Sequence, residues 1–161
     1  MTVNIEYQPI GIIHSPFESI ENTPIQPAGA AGVKGTIEMF PQFAAGLKDL
    51  AGFSHIILLY HFHHAQGGAL IITPFLDSEP HGVFATRAPK RPNPIGLSVV
   101  RLIGVEHNTL HLENVDILSG TPLLDIKPYI PEIDHHPAER IGWLKDVTER
   151  FKTARSDKRF G

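Results

Sequence analysis

Apolar and polar positions alternate along most of this chain, the period-2 mark of strands, and only two stretches carry a helical period. Residues 10–14 read as a first short strand, ended by Ser15-Pro16, and residues 36–39 as a second. Residues 54–62 are β-branched, Leu and aromatic, apolar on both faces, which predicts a central strand covered on both sides. Residues 83–86, 98–105 and 110–114 follow as strands, with His107-Asn108 as the turn between the last two. Residues 123–129 read as the final strand, stopped by Pro131. Pro41 suits the first position of a helix carrying Phe43, Leu47 and Leu50 on one side, with Gly52 as its stop. In the tail, Ile141, Leu144, Val147 (or Thr148) and Phe151 share one side of a helix beginning near Pro137. Some seven short strands without βαβ alternation predict a mainly β fold. The expected architecture is a small antiparallel or mixed β-barrel with one short internal helix and a C-terminal helix. Residues 1–136 form the barrel; residues 137–161, helix and basic tail, belong to the same domain.

A chain of 161 residues and 17.8 kDa suits one domain, and 42% hydrophobic residues allow a core. Gly and Pro, 14 each, concentrate in turns, above all in the Pro/Gly/Ala loop of residues 21–35. The absence of Cys excludes disulfides, thiolate metal sites and thiol nucleophiles. No apolar run approaches the roughly 18 residues of a membrane span, and the start lacks a basic-then-apolar leader, so a cytoplasmic soluble chain is expected.

Net charge is −3, but its distribution is uneven. Residues 1–78 hold only Lys34 and Lys48 as basic side chains, whereas residues 139–160 hold Arg140, Lys145, Arg150, Lys152, Arg155, Lys158 and Arg159. Residues 81–101 carry Arg87, Lys90, Arg91 and Arg101 with no acid at all. These are local footprints for a polyanion, although Glu139, Asp146, Glu149 and Asp157 interleave in the tail as on a solvated helix face.

Four motifs carry candidate chemistry. The loop Gly29-Ala-Ala-Gly-Val-Lys-Gly35 precedes a strand, so it is neither a phosphate cradle nor a dinucleotide fingerprint. His61 and His63 share a strand face and could hold a metal only with a distant third ligand such as Asp134 or His135. Ordinary hydrogen bonding is the expected role, and no metal is expected. In Gly82-Val-Phe-Ala-Thr-Arg-Ala-Pro-Lys-Arg-Pro-Asn-Pro-Ile-Gly-Leu-Ser98, three prolines stiffen the segment that carries Arg87 and Arg91. A planar guanidinium on a stiff loop suits bidentate capture of a carboxylate or phosphate. Asp116 ends one strand, and Asp125 and Lys127 share a face of the next. Such groups are either an exposed ion pair or functional.

Taken together, these stretches resemble the tRNA methyltransferase O family, which methylates N6 of threonylcarbamoyl-adenosine at position 37 of tRNA with S-adenosylmethionine. The shared motifs are Gly11-Ile-Ile-His-Ser-Pro-Phe17, Gln26-Pro27, Leu47-Lys-Asp-Leu-Ala-Gly-Phe-Ser-His55, Gly82-Val-Phe-Ala-Thr-Arg87, Arg91-Pro-Asn-Pro-Ile-Gly-Leu-Ser98, and Asp116…Gly120-Thr-Pro…Asp125-Ile-Lys-Pro-Tyr129. They span about residues 8–131. The resemblance implies a β-barrel methyltransferase acting as a homodimer on the anticodon loop. It implies a cofactor pocket of Pro27, Ala28, Gly29, His63, His64, Arg87, Leu97, Glu113, Asn114, Val115 and Asp116. There Arg87 would hold the amino-acid carboxylate, Glu113 or Asp116 the diol or ammonium, and Leu97 with the small-residue loop the adenine. His64 stands where many relatives carry Gln. Longer relatives have a further C-terminal domain, where this chain has only a helix and a basic tail.

Asp125, Lys127 and Arg91 are the expected catalytic residues. A urea-type nitrogen is a poor nucleophile while it keeps its proton, and Asp125, His63 and His64 are all of a type to accept it. Two other readings compete: a non-catalytic regulatory module binding S-adenosylmethionine or RNA, and a metal-dependent hydrolase using the histidines. The tail is expected to meet tRNA phosphates, and its last ten residues to be dispensable for folding and for cofactor affinity.

Overall fold

The computed structural model describes residues 2–21, 23–25, 27–147, 150 and 153–157. Eight strands form: β1 (Gly11–His14), β2 (Lys34–Met39), β3 (His55–His61), β4 (Ile71–Ile72), β5 (His81–Gly82), β6 (Ile95–Glu106), β7 (Thr109–Glu113) and β8 (Thr121–Pro128). Six of them close into a barrel in the order β1-β2-β7-β6-β3-β8, every neighbour antiparallel, while β4 and β5 pair alone. Closure leaves no barrel strand with an unpaired edge.

The alternation read from the sequence decides which side chains enter the barrel. On β3, Ile56, Leu58 and Tyr60 point inward, and on β6 Gly96, Ser98, Val100 and Leu102. Ile13, Ile37, Ile56, Leu58, Val100, Leu110, Leu112, Val115 and Leu123 complete a core with almost no exposure. The long β6–β7 hairpin turns at His107-Asn108, with His107 in the left-handed region at φ 54°, and the amide of Asn108 donates to the Met39 carbonyl at 2.9 Å.

Four expectations change. Residues 54–62 are not covered on both sides: β3 alternates, and His55, Ile57, Leu59 and His61 stay half-buried on its outer face. Residues 83–86 are not a strand but a 3₁₀ turn, Val83–Ala85, because the Thr86 hydroxyl donates to the Val83 carbonyl at 2.8 Å. The internal helix is two 3₁₀ pieces, Pro41–Leu47 and Leu50–Gly52. No side chain caps its start, and Asp49, at φ 68°, interrupts it. Among the described residues the tail has a short α-helix, α1 (Pro131–Asp134), and then a 3₁₀ turn at Gly142–Asp146; Gly142 takes φ 58° and breaks any helix running on from Pro137. Thr148 and Phe151, the expected end of that helical face, lie outside the described residues. No helix among the described residues is long and apolar enough to cross a membrane.

Candidate functional site

One end of the barrel opens into a cavity of about 890 Å³. Tyr60 and Asp116 line its floor. Pairing of Tyr60 with Gly96 across β3 and β6 explains the glycine: a Cβ there would come within 2.2 Å of a Tyr60 ring carbon. Behind the floor runs a buried chain of polar groups. Ser98 donates to an Asp116 carboxylate oxygen at 2.7 Å and, having spent its proton there, accepts from the Tyr60 hydroxyl at 2.9 Å. Burial pushes the Asp116 carboxyl up to about 6, opposed by the Ser98 hydrogen bond, a backbone hydrogen bond and the Arg87 charge. Burial and the nearby Asp116 charge raise the Tyr60 phenol far above its ordinary range, so it stays a donor.

The walls come from four loops. His63 and His64 follow β3 in a turn, their rings 4.2 Å apart, and both line the cavity. Partial burial and then the neighbouring His64 and His61 lower the His63 pKa, which keeps its ring neutral at pH 7. The proline-stiffened segment contributes Thr86, Arg87 and Arg91. One guanidinium nitrogen of Arg91 donates to the carbonyls of Thr86 and Ala88, at 3.0 and 3.2 Å. It shapes the loop that presents Arg87. Leu97 lines the mouth from β6, and Ala28 contributes from the 3₁₀ turn Pro27–Ala30.

The last wall was not foreseen. Trp143, Leu144 and Ser156 line the cavity, and the Trp143 indole stacks on His81 at 4.5 Å. Arg150 donates to the Leu76 carbonyl at 3.0 Å, Ser156 donates to the Ile20 carbonyl, and Arg155 bridges to Pro24. The tail is therefore a strap across the site rather than a free basic arm. Removing residues 152–161, the truncation expected to leave cofactor affinity little changed, would take Ser156 of the cavity lining and the Arg155 bridge with it. Lys152, Lys158 and Arg159 lie outside the described residues.

The structure thus brings together Ala28, His63, His64, Arg87, Arg91, Leu97 and Asp116. It does not bring Gly29, Glu113, Asn114 or Val115 to the cavity lining. Glu113 faces outward on β7, 3.9 Å from Arg101. Asn114, at φ 64°, accepts from the Gly32 amide at 2.9 Å and so ties down the glycine loop. Val115 is wholly buried beneath Gly35. Of Pro27 only the backbone placement is described. Asp125 and Lys127 also miss the cavity: they pair with each other at 2.9 Å, both well exposed. Asp125 is nevertheless aligned with Leu59 on β3, and Leu59 with Leu97 on β6. Two strand spacings, about 10 Å, therefore separate Asp125 from the cavity mouth on one outer face. Tyr60, Ser98 and Trp143 escaped the sequence reading; only their inward or strap positions reveal them.

A closed antiparallel barrel with an apolar cavity, an arginine and a buried carboxylate in it, defines a small-molecule-binding domain of non-Rossmann type. The chain belongs to the tRNA-methyltransferase O N-terminal domain family, whose model matches residues 12–135. It is 56% identical over 154 residues to a probable S-adenosyl-L-methionine-binding protein of Pyrococcus abyssi, covering 96% of this chain and 84% of that one. It is 37% identical to the tRNA (adenine(37)-N6)-methyltransferase of Homo sapiens, over 83% of this chain but only 32% of the human protein. A crystal structure of TrmO from Pseudomonas aeruginosa superposes with a TM-score of 0.73 at 42% identity, covering 88% of this chain and 63% of that chain.

Proposed function

We propose that this chain binds S-adenosylmethionine in the 890 Å³ cavity and transfers its methyl group to N6 of adenosine 37 in tRNA. The finer reading is that the adenosine carries a threonylcarbamoyl group and that the enzyme acts as a cytoplasmic homodimer on the anticodon loop. The observation that carries the proposal is that Arg87 and Asp116 line one largely apolar cavity, near enough for the Arg87 charge to act on the Asp116 carboxyl. A guanidinium and a carboxyl in one cavity complement the zwitterionic amino-acid end of the cofactor, and the volume falls in the roughly 300–1,000 Å³ range of small-molecule sites. Arg87 holds the carboxylate, Asp116 the ammonium, and Leu97 with Ala28 packs the adenine. Bound there, the cofactor would supply an electrophilic methyl group on a sulfonium.

The protein's part is positioning and proton removal. His63 lines the cavity and is kept neutral, so it is assigned as the acceptor of the nitrogen-bound proton as the N–C bond forms and the C–S bond breaks. Asp125 and Lys127, beside the mouth rather than inside, face the RNA. Calorimetry with S-adenosylmethionine, followed by methyl incorporation into tRNA and mass spectrometry of its nucleosides, tests the reading. Binding by the wild type and a loss of about 100-fold in turnover for His63→Ala are expected. A wild-type protein that does not bind the cofactor would overturn the proposal; binding without methyl transfer would leave a regulatory module in its place.

A further inference from the structure

Phe84 has an unusual situation for a large apolar side chain. It is 76% exposed, yet it lines the cavity, and the backbone around it is pinned from every side. The Val83 amide donates to the Leu70 carbonyl at 2.9 Å, and the Val83 side chain is buried. The Thr86 hydroxyl closes the turn onto the Val83 carbonyl. The Trp143 indole donates to the Ala85 carbonyl at 2.8 Å, and Arg91 grips the Thr86 carbonyl at 3.0 Å. The turn thus holds an aromatic ring out into solvent in a preset position.

One exposed apolar residue would need no explanation. Here Leu97 and Ile95, 49% and 41% exposed, line the same cavity, so its mouth is an apolar patch. Beside it Arg87 and Arg91 line the same cavity, and the segment that carries them, residues 81–101, contains no Asp or Glu. An exposed aromatic beside arginines is how proteins hold unpaired nucleotides, because every base offers a π-face and every linkage a negative charge.

We infer that Phe84 is a stacking platform for an unpaired nucleobase of the RNA, the one next to the base that enters the cavity. The inference rests on the methyltransferase reading above and deepens it by assigning a second nucleotide subsite. Phe84 is a positioning residue, and the preset turn means that little ordering entropy is lost on stacking. Stacking requires no hydrogen-bonded edge, so the subsite accepts any base there.

A double-mutant cycle tests this with an RNA stem-loop carrying the threonylcarbamoyl-modified target adenosine and, in separate molecules, an abasic residue on either side of it. In the wild type, one of the two abasic positions should raise KM about tenfold, and Phe84→Ala should do the same with the intact RNA. In Phe84→Ala that abasic position should then have no further effect, and Phe84→Trp should restore wild-type KM. Effects that simply multiply, or an unchanged KM in Phe84→Ala, overturn the inference while leaving the methyltransferase reading intact. So does a Phe84→Ala protein that changes only its sedimentation, since the patch would then be covered by a second copy. A wild type that methylates no RNA overturns the reading and the inference together.

Discussion

Asp116 and Asp125 are the same residue type on either side of one short loop, and the barrel treats them in opposite ways. Asp116 turns inward at the cavity floor, 9% exposed, its carboxyl held by Ser98 and raised to about 6. Asp125 turns outward, accepts from the Ile126 amide at 2.9 Å and pairs with Lys127 in water. Buried charge is costly and needs partners, whereas an exposed ion pair contributes little to stability. The floor is therefore a place where a charge is stored for a ligand. The outer face is a place where charge meets whatever approaches from solvent.

Three variants break or sharpen that contrast. The largest effect should come from Gly96→Ala, which forces a methyl group into the Tyr60 ring and disrupts the Tyr60–Ser98–Asp116 chain. Urea unfolding should show a loss of about 3 kcal/mol or more; a loss below about 1 kcal/mol would mean that the floor repacks freely.

Next comes Asp116→Asn. Because the folded-state pKa of Asp116 is raised from 3.8 to about 6, the fold favours its protonated form. The stability it contributes is fully present below pH 4 and lost as pH rises through about 6. The wild type should thus lose about 3 kcal/mol from this group across that window, and the asparagine variant should lack the slope. Parallel curves for the two proteins would show that Asp116 is not desolvated in solution.

The smallest effect on stability belongs to Asp125→Asn, about 0.5 kcal/mol or less by urea titration. Turnover on tRNA should nevertheless drop strongly while cofactor affinity holds, since the proposed function puts this residue on the RNA side of the mouth. Unaltered turnover would reduce the Asp125–Lys127 pair to a solvated surface contact.

Much of the molecule was legible in one dimension. Strand alternation, the His107-Asn108 turn and the proline-stiffened arginine segment are local properties, set by side-chain volume, φ restriction and the period of burial. The family motifs carried the cofactor class as well. What alternation alone could not decide is the bottom of the site, because Tyr60, Ser98 and Asp116 meet only when β3 and β6 pair and the segment after β7 folds over them. Nor could a helical period in the tail survive Gly142, whose left-handed backbone turns that segment into a strap over the cavity. Arg91 shows the same limit from the other direction: its charge pointed to a ligand, and only the tertiary structure reveals that one of its nitrogens also braces two loop carbonyls. Residue type and spacing determine which groups are available for chemistry. Which of them face the cavity is settled by barrel closure, since burial and hydrogen-bond partners come from residues distant in the chain.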